Sequence, residues 1–338
     1  MLSPGLTRFI LSISVVAFHL SQSIFLGYFA VGCFLILSGY WIALMFEHKY
    51  SKFESKLKVF FISRLWRLMP VFYTFTLLGL LVDHLGKSSF LNGFNVLNIG
   101  QKTEVVISNI MLLGYSTSDC KLLVPAWSLD IELQFYIFFA LLFCLFKGIK
   151  RYLKYLTMSF FVIAISLIIF NQTELLRTSM AYMYLFFVGV MIYHFKLKPS
   201  DKVYKWSSII FLLIIAIQYL IPSLSVYYRN GASIYYTCLS LALILFAIPA
   251  LIKSVSIKSD TRDKFLGEMS FTVYLSHWIW LGPYNIMIAD VTKIERIPYL
   301  MGFLLVTFLS AFLIYKYIDR PSERMRHIWL NRQMRTDK

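Results

Sequence analysis

FILSISVVAFHLSQSIFLGYFAVGCFLILSGYWIALMF, residues 9–46, runs without a single Asp, Glu, Lys or Arg. A helix needs roughly 20 apolar residues to cross the hydrocarbon of a bilayer. This stretch is long enough to cross twice, as 9–26 and 28–46, with Gly27 at the turn. No small-residue cleavage site leads from the first run into a polar mature segment, so the run reads as the first arm of a helical hairpin and not as a cleaved signal peptide.

The same texture continues along the chain. Further apolar runs are read at 69–86, 126–147, 153–171, 178–195, 205–222, 232–252, 269–289 and 297–317. They are too long and too uniformly apolar for the ~10-residue alternating strands of an outer-membrane barrel. One more apolar segment, EVVISNIMLLGY at 104–115, is too short to cross and reads as re-entrant or interfacial. The 338 residues are 59% hydrophobic and 15% charged, with a mean hydropathy of +0.68. Soluble domains are about 45–50% apolar and about 25% charged, so a water-soluble fold is excluded, and so is disorder. The expectation is an all-α, polytopic membrane helix bundle of about ten transmembrane helices forming one membrane-embedded domain over 1–338. Of Cys33, Cys120, Cys144 and Cys238, Cys120 alone lies outside a run; no disulfide partner and no metal-ligand spacing accompany it.

The net charge of +16 would suggest nucleic acid in a soluble protein. Here it sorts by side. Lys49, Lys52, Lys56, Lys58, Arg64 and Arg67 precede the third run, and Lys147, Lys150, Arg151 and Lys154 follow the fourth. Basic clusters at 196–205 and 253–264, and the tail after Lys316, recur at alternate connections. Sorted this way, 26 of the 33 Lys and Arg fall on one side. The positive-inside rule makes that side cytoplasmic, with both termini on it. The charge then needs no nucleic-acid partner.

Ionisable groups at membrane depth are expensive and mark functional positions. Arg8 and His19 lie eleven residues apart on the first helix, about 16 Å and three turns, near one face. Imidazole suits proton transfer near neutral pH; a core histidine bonded to a carbonyl is the plainer reading. In SRLWRLMPVF, Arg64 and Arg67 share a helix face just before Pro70, where guanidinium forks would clamp phosphates or simply mark the inner end of a span. PAWSLDIELQFY, 125–136, carries Asp130 and Glu132 near the outer end of a run; two apart, they point different ways, as structural or functional carboxylates. GEMSFTVYLSHW, 267–278, sets Ser270, Tyr274 and His277 on one stripe that must face protein or a cavity.

Taken in order, these blocks resemble the acyltransferase 3 family of integral membrane acyltransferases. LTRFILSISVVAFH is similar to the family's Arg-x10-His first helix, and AVGCFLILSGYWI, 30–42, to its FFVLSGFLI block. Arg64-x-x-Arg67 resembles its basic pair, WSLDIELQFY its WSLxxExQFY, and SFTVYLSH its SYxxYLxH. In IDRPSE, 318–323, Asp319 stands where the family usually has Glu. The glycine and alanine that usually follow the first-helix Arg are absent. No SGNH-type hydrolase domain follows the last run, so the chain resembles the stand-alone branch.

The resemblance implies transfer of an acyl group, commonly acetyl from cytoplasmic acetyl-CoA, to an acceptor on the outer side of a bacterial cytoplasmic membrane. Many members O-acetylate surface polysaccharides such as lipopolysaccharide O-antigen. It implies Arg8, Arg64 and Arg67 on the donor's phosphates, and His19 as general base, with Glu132 orienting either His19 or the acceptor. Trp127, Ser128, Asp130, Ser270, Tyr274 and His277 are candidates for substrate or oxyanion contacts. No metal is implied. Prior acylation of His19, giving ping-pong kinetics, is the alternative route. Competing functions are a flippase for a lipid-linked sugar, an assembly component of an export complex, or an acyltransferase acting on a lipid, peptidoglycan or small metabolite. Transporters commonly carry two-fold repeats, and none is visible in this sequence.

Overall fold

The computed structural model describes residues 2–21, 23–86, 89–146, 148–224 and 234–336. Lys147 and the first two residues of the 232–252 run lie outside them. Among the described residues there is no strand, and each expected run contains an α-helix; the 9–26 run is helical only to Leu20. The helices are α1 (Pro4–Leu20), α2 (Gly27–His48), α3 (Lys56–Gly86), α4 (Ser89–Val96), α5 (Ile99–Met111), α6 (Trp127–Leu145), α7 (Leu153–Ile169) and α8 (Thr173–Leu176). They continue as α9 (Met183–His194), α10 (Asp201–Leu220), α11 (Ile234–Val255), α12 (Thr261–Met287), α13 (Arg296–Ile314) and α14 (Arg320–Thr336). A π-helical turn, Tyr315–Asp319, joins the last two.

Seven of these elements are long and apolar enough to cross a membrane: α2, α3, α6, α7, α10, α11 and the α13–α14 rod. The chain is therefore an integral, multi-pass membrane protein. Helices α1, α9 and α12 fall outside that set. α1 and α9 are short, at 17 and 12 residues. α12 has the length, but it carries the Ser270–Tyr274–His277 stripe, and such polar groups need shelter by protein. The expected 178–195 run is α-helical only from Met183, after a 3-10 turn at Ser179–Ala181. α5 covers most of the doubtful 104–115 segment in 13 residues, opened by an Asn98–Gln101 capping box.

Two boundaries move for identifiable reasons. α1 begins at Pro4 rather than 9, because Ser3 occupies the cap position and Pro at the first helical position loses nothing. α3 begins thirteen residues before the expected 69 and runs through Pro70. Proline removes one helical N–H, which membrane helices tolerate. Both arginines thus sit inside α3 and not on a preceding linker.

The helices form two compact units. The first comprises Met1–Leu44, Lys150–Thr173 and Met180–Ser270; the second comprises Met45–Ile149, Glu174–Ser179 and Phe271–Lys338. In the first, α7 packs on α9, α10 on α11 and α1 on α11. Two backbones approach closely there: a Cβ on Gly39 would lie 2.0 Å from the Phe186 carbonyl oxygen, and one on Gly189 2.0 Å from that of Ile36. In the second, α3 packs on α6 and α14 around an aromatic core. Phe46 meets Phe60 and Phe139 edge-on at 5.4 Å, and Phe139 stacks on Phe143 at 4.2 Å. Lipid tails are as apolar as these rings, so close packing rather than escape from water holds such helices together.

Candidate active site

The first unit carries Arg8 and His19 at opposite ends of α1. The N-terminus of α1 is fixed by Asp263, from the first turn of α12. Its carboxylate accepts a hydrogen bond from the Ser3 hydroxyl and one from the Leu6 N–H at 2.8 Å, the latter a backbone donor that a helix start leaves open. Gly5 permits this approach, since a Cβ there would collide with the Asp263 backbone carbonyl. Burial alone would raise the Asp263 pKa; hydrogen bonds from Ser3, Ser259, Leu6 and Gly5 outweigh it and hold the carboxyl below its usual range. One turn on, the Arg8 guanidinium lies over the Trp41 ring at 5.5 Å. His19, half-buried, occupies the last turn of α1, edge-on to Phe18 at 5.1 Å. Phe18 in turn stacks on Tyr236 at 6.1 Å and meets Tyr28, so aromatic rings stand beside the imidazole. Ser270, also in this unit, is buried and donates to the Gly267 carbonyl of its own helix.

In the second unit the two arginines of α3 belong to one buried network. Arg64 is 5% exposed; its Nη2 donates to Tyr50 Oη at 2.6 Å, and the rings of Tyr50, Phe60 and Tyr136 surround it. Tyr50 Oη and Ser63 Oγ are hydrogen-bonded at 2.7 Å, and Arg326 Nη1 donates to Ser63 Oγ at 2.7 Å. Arg326 also donates to Glu323 at 2.5 Å. Arg67 Nη1 completes the chain, donating to Asp319 Oδ1 at 2.9 Å and to Glu323 Oε1 at 3.4 Å, with its guanidinium over the Phe271 ring. Three guanidiniums therefore face two carboxylates, and the cluster keeps a net positive charge. The spacing of three does align Arg64 and Arg67, but their surroundings differ: Arg64 is enclosed, whereas the Arg67 side chain is 24% exposed.

The α6 block places its polar residues as their spacing requires. Asp130 is fully buried and accepts from the Ser116 N–H at 2.7 Å, the Gly114 N–H at 3.3 Å and Gln134 Nε2 at 2.7 Å. It ties the 114–116 turn to the helix. Glu132, half-buried, points elsewhere and accepts the Tyr136 hydroxyl proton. Ser128 and Tyr274 meet at 2.8 Å, and both hydroxyls reach the Pro125 carbonyl, Tyr274 at 2.9 Å and Ser128 at 3.1 Å. His277 is buried one turn further on, with Nδ1 3.4 Å from the Val273 carbonyl oxygen and its ring 6.3 Å from that of Tyr274. Trp127, at the first position of α6, is partly exposed. So the structure brings Ser128 and Tyr274 together, sets His277 beside them, and leaves Ser270 bonded to its own turn.

Sequence reading passed over Tyr50, Glu323, Arg326 and Asp263. Glu323 carried a local signal, since it lies four residues after Asp319 and shares its helix face. Tyr50 and Asp263 act across the chain and leave no local trace. Among the described residues no group of three His, Cys, Asp or Glu gathers to hold a metal ion.

The arrangement coincides with a family match. The model for the acyltransferase domain of the acyltransferase 3 family covers residues 2–316. Proteins named "Putative O-acetyltransferase" from Staphylococcus aureus strains COL and MSSA476 are 26% identical over 351 aligned positions, covering 94% of this chain. The chain spans 57% of the length of these relatives. No solved structure matches. The match runs through both compact units, and the chain belongs to the acyltransferase 3 family of membrane acyltransferases.

Proposed function

We propose that this protein transfers an acetyl group from acetyl-CoA to a hydroxyl of a surface glycan, such as a lipopolysaccharide O-antigen, a capsule or a lipid-linked precursor. On this reading both units form one acyltransferase domain, with about ten membrane crossings in a bacterial cytoplasmic membrane and both termini in the cytoplasm. The excess of Lys and Arg at alternate connections supports that orientation.

The observation that carries the reading is α1 itself. It holds a guanidinium at one end and an imidazole in its last turn, eleven residues and about 16 Å apart. Acetyl-CoA has its phosphates at one end and its thioester at the end of a long pantetheine arm, so it suits a site with that polarity. Arg8 and Arg67 engage the phosphates, and the net positive charge of the Arg67 network favours an anion. Arg64, enclosed by Tyr50 and Phe60, acts on the donor by positioning that network.

His19 takes the proton from the acceptor hydroxyl as its oxygen attacks the thioester carbonyl. The carbon–sulfur bond breaks, and the imidazolium returns the proton to the departing thiolate. The charge on the carbonyl oxygen in the transition state calls for hydrogen-bond donors, a role open to Ser128, Tyr274 and His277. Glu132, held by Tyr136, orients the acceptor, with Trp127 beside it on α6. Asp130 and Ser270 are positioning residues, in keeping with their bonds to the 114–116 turn and to Gly267.

The test is transfer of label from acetyl-labelled acetyl-CoA to purified surface glycan by the protein in liposomes. Label on the glycan, released as acetate by mild alkali, is the expected result. Label that never leaves acetyl-CoA, or that appears as alkali-stable lipid, refutes the assignment.

A further inference from the structure

The second unit carries an open cavity of about 560 Å³ that none of the family blocks lines. It lies between the Gly79–Asp83 end of α3, the start of α4, the 121–124 stretch and one side of α12 from Trp278 to Ile286. Its volume falls within the ~300–1,000 Å³ typical of small-molecule sites. The wall is mixed: an indole from Trp278, two amides from Asn92 and Asn285, a carboxylate from Asp83 and an ammonium from Lys121.

The two charged groups are held in place. Asp83 is buried and accepts the Phe90 N–H at 3.3 Å and the Leu91 N–H at 3.0 Å, capping α4. Lys121 donates to the Ser118 carbonyl. A carboxylate has about four acceptor sites and an ammonium three donors, so each retains capacity for an occupant. An acyl chain in this space would leave that remaining hydrogen-bonding capacity of Asp83 and Lys121 unused, which an apolar setting penalises. A sugar ring meets both demands, because its rim carries donors and acceptors and its faces carry C–H groups for the indole.

We propose that this cavity is the acceptor subsite and holds one sugar unit of the glycan, with the ring against Trp278 and its hydroxyls shared among Asp83, Asn92, Lys121 and Asn285. The proposal rests on the acetyl-transfer reading above and adds the site at which the acceptor is recognised. Its position within the unit suits that role. Tyr274 lies one helical turn before Trp278, about 6 Å along α12, and Pro125, whose carbonyl gathers the Ser128 and Tyr274 hydroxyls, directly follows the cavity-lining Val124.

Gly282 provides a clean test. It lines the cavity, and a Cβ built on it meets nothing within 4 Å, so a side chain can start from this position without displacing the helix. The probes are methyl α-glucopyranoside, methyl α-galactopyranoside and methyl N-acetyl-β-glucosaminide, titrated into the full-length protein in detergent. The readouts are tryptophan fluorescence, and acetyl transfer with labelled acetyl-CoA. At least one glycoside should quench fluorescence saturably; Gly282→Leu should abolish that response, and Asn285→Ala should raise the acceptor KM about tenfold, the weight of one good contact. Acetyl-CoA affinity should stay unchanged in both variants. Saturable binding by the Gly282→Leu protein at wild-type affinity, or no response to any of the three glycosides, overturns the subsite. Transfer at wild-type KM in both variants overturns the subsite and leaves the acetyl-transfer reading intact. Binding lost in Gly282→Leu, with no acetylation of any glycoside or glycan by the wild type, supports the subsite and overturns the reading on which it rests.

Discussion

Arg67 Nη1 donates to Asp319 Oδ1 at 2.9 Å, joining α3 to the π-helical turn across 252 residues of sequence. The aspartate stands where the family usually has glutamate, yet it reaches its arginine. The π turn is the device that allows this. An extra residue in one helical turn rotates the rest of the helix about its axis, and such turns recur at functional positions. Here it presents Asp319 and then Glu323, one turn later, to the same guanidinium. Pro70, three residues after Arg67, does not interrupt α3, so the arginine is held on a continuous helix.

This pair should be coupled. The Asp319 side chain is 3% exposed, so Arg67→Ala takes the guanidinium away from a buried carboxylate and should cost about 3 kcal/mol of stability. Asp319→Ala alone should cost less, because Glu323 still balances Arg67. The double variant should be more stable than the sum of the two losses implies, by about 1 kcal/mol or more. Thermal unfolding of the four proteins in one detergent measures this; strictly additive losses would contradict the coupling.

His19→Ala should reduce acetyl transfer by about 10²- to 10⁴-fold, the usual contribution of a positioned general base. His19 is half-buried in the last turn of α1, so its removal should leave expression and unfolding temperature near wild type. Single-turnover acetylation separates chemistry from donor binding. A folded His19→Ala protein that transfers acetyl at the wild-type rate would exclude the base assignment.

The features legible in the sequence came from local pattern. Hydropathy marks the apolar helices, and the spacing of two in WSLDIELQFY separates Asp130 from Glu132, as their different partners show. The failures have a common physical source. An apolar run reports solubility in lipid and not helical continuity, so 178–195 read as one span while α9 occupies only Met183–His194. Capping and enclosure are made by distant residues. Nothing near Arg64 announces the Tyr50 hydroxyl, and nothing near Pro4 announces Asp263. The Ser3–Pro4 start signal was present but lies in a segment too polar for a hydropathy reading to include.

Acid should loosen α1 through Asp263. Its folded pKa lies below its unfolded value, because bonds to Ser3, Ser259, Leu6 and Gly5 outweigh burial. The unfolded chain therefore binds the proton more readily than the folded one. The stabilisation is complete above the unfolded carboxylate pKa, about 4, and is lost as pH falls through the lower folded value. Asp263→Asn should remove most of that pH dependence and cost about 1 kcal/mol at neutral pH, the worth of a helix cap. Unfolding temperature from pH 7 to pH 3 checks this, and an unchanged slope in the variant would remove Asp263 from the account.

The LSGYW block is explained by backbone approach. α2 and α9 touch where Gly39 faces the Phe186 carbonyl and Gly189 faces the Ile36 carbonyl, at distances no Cβ can occupy. In a membrane, helix association depends on such close contact, because apolar side chains gain little by leaving lipid for protein. Gly39→Ala must push α9 away along the whole contact and should destabilise the protein by about 2 kcal/mol. Gly282→Ala, where the added Cβ meets open space, should be neutral or slightly stabilising, since alanine favours helix over glycine by up to about 1 kcal/mol. The two substitutions are chemically identical and both lie within long helices. A difference in unfolding temperature between them therefore isolates the α2–α9 contact, and equal effects would show that propensity alone governs both positions.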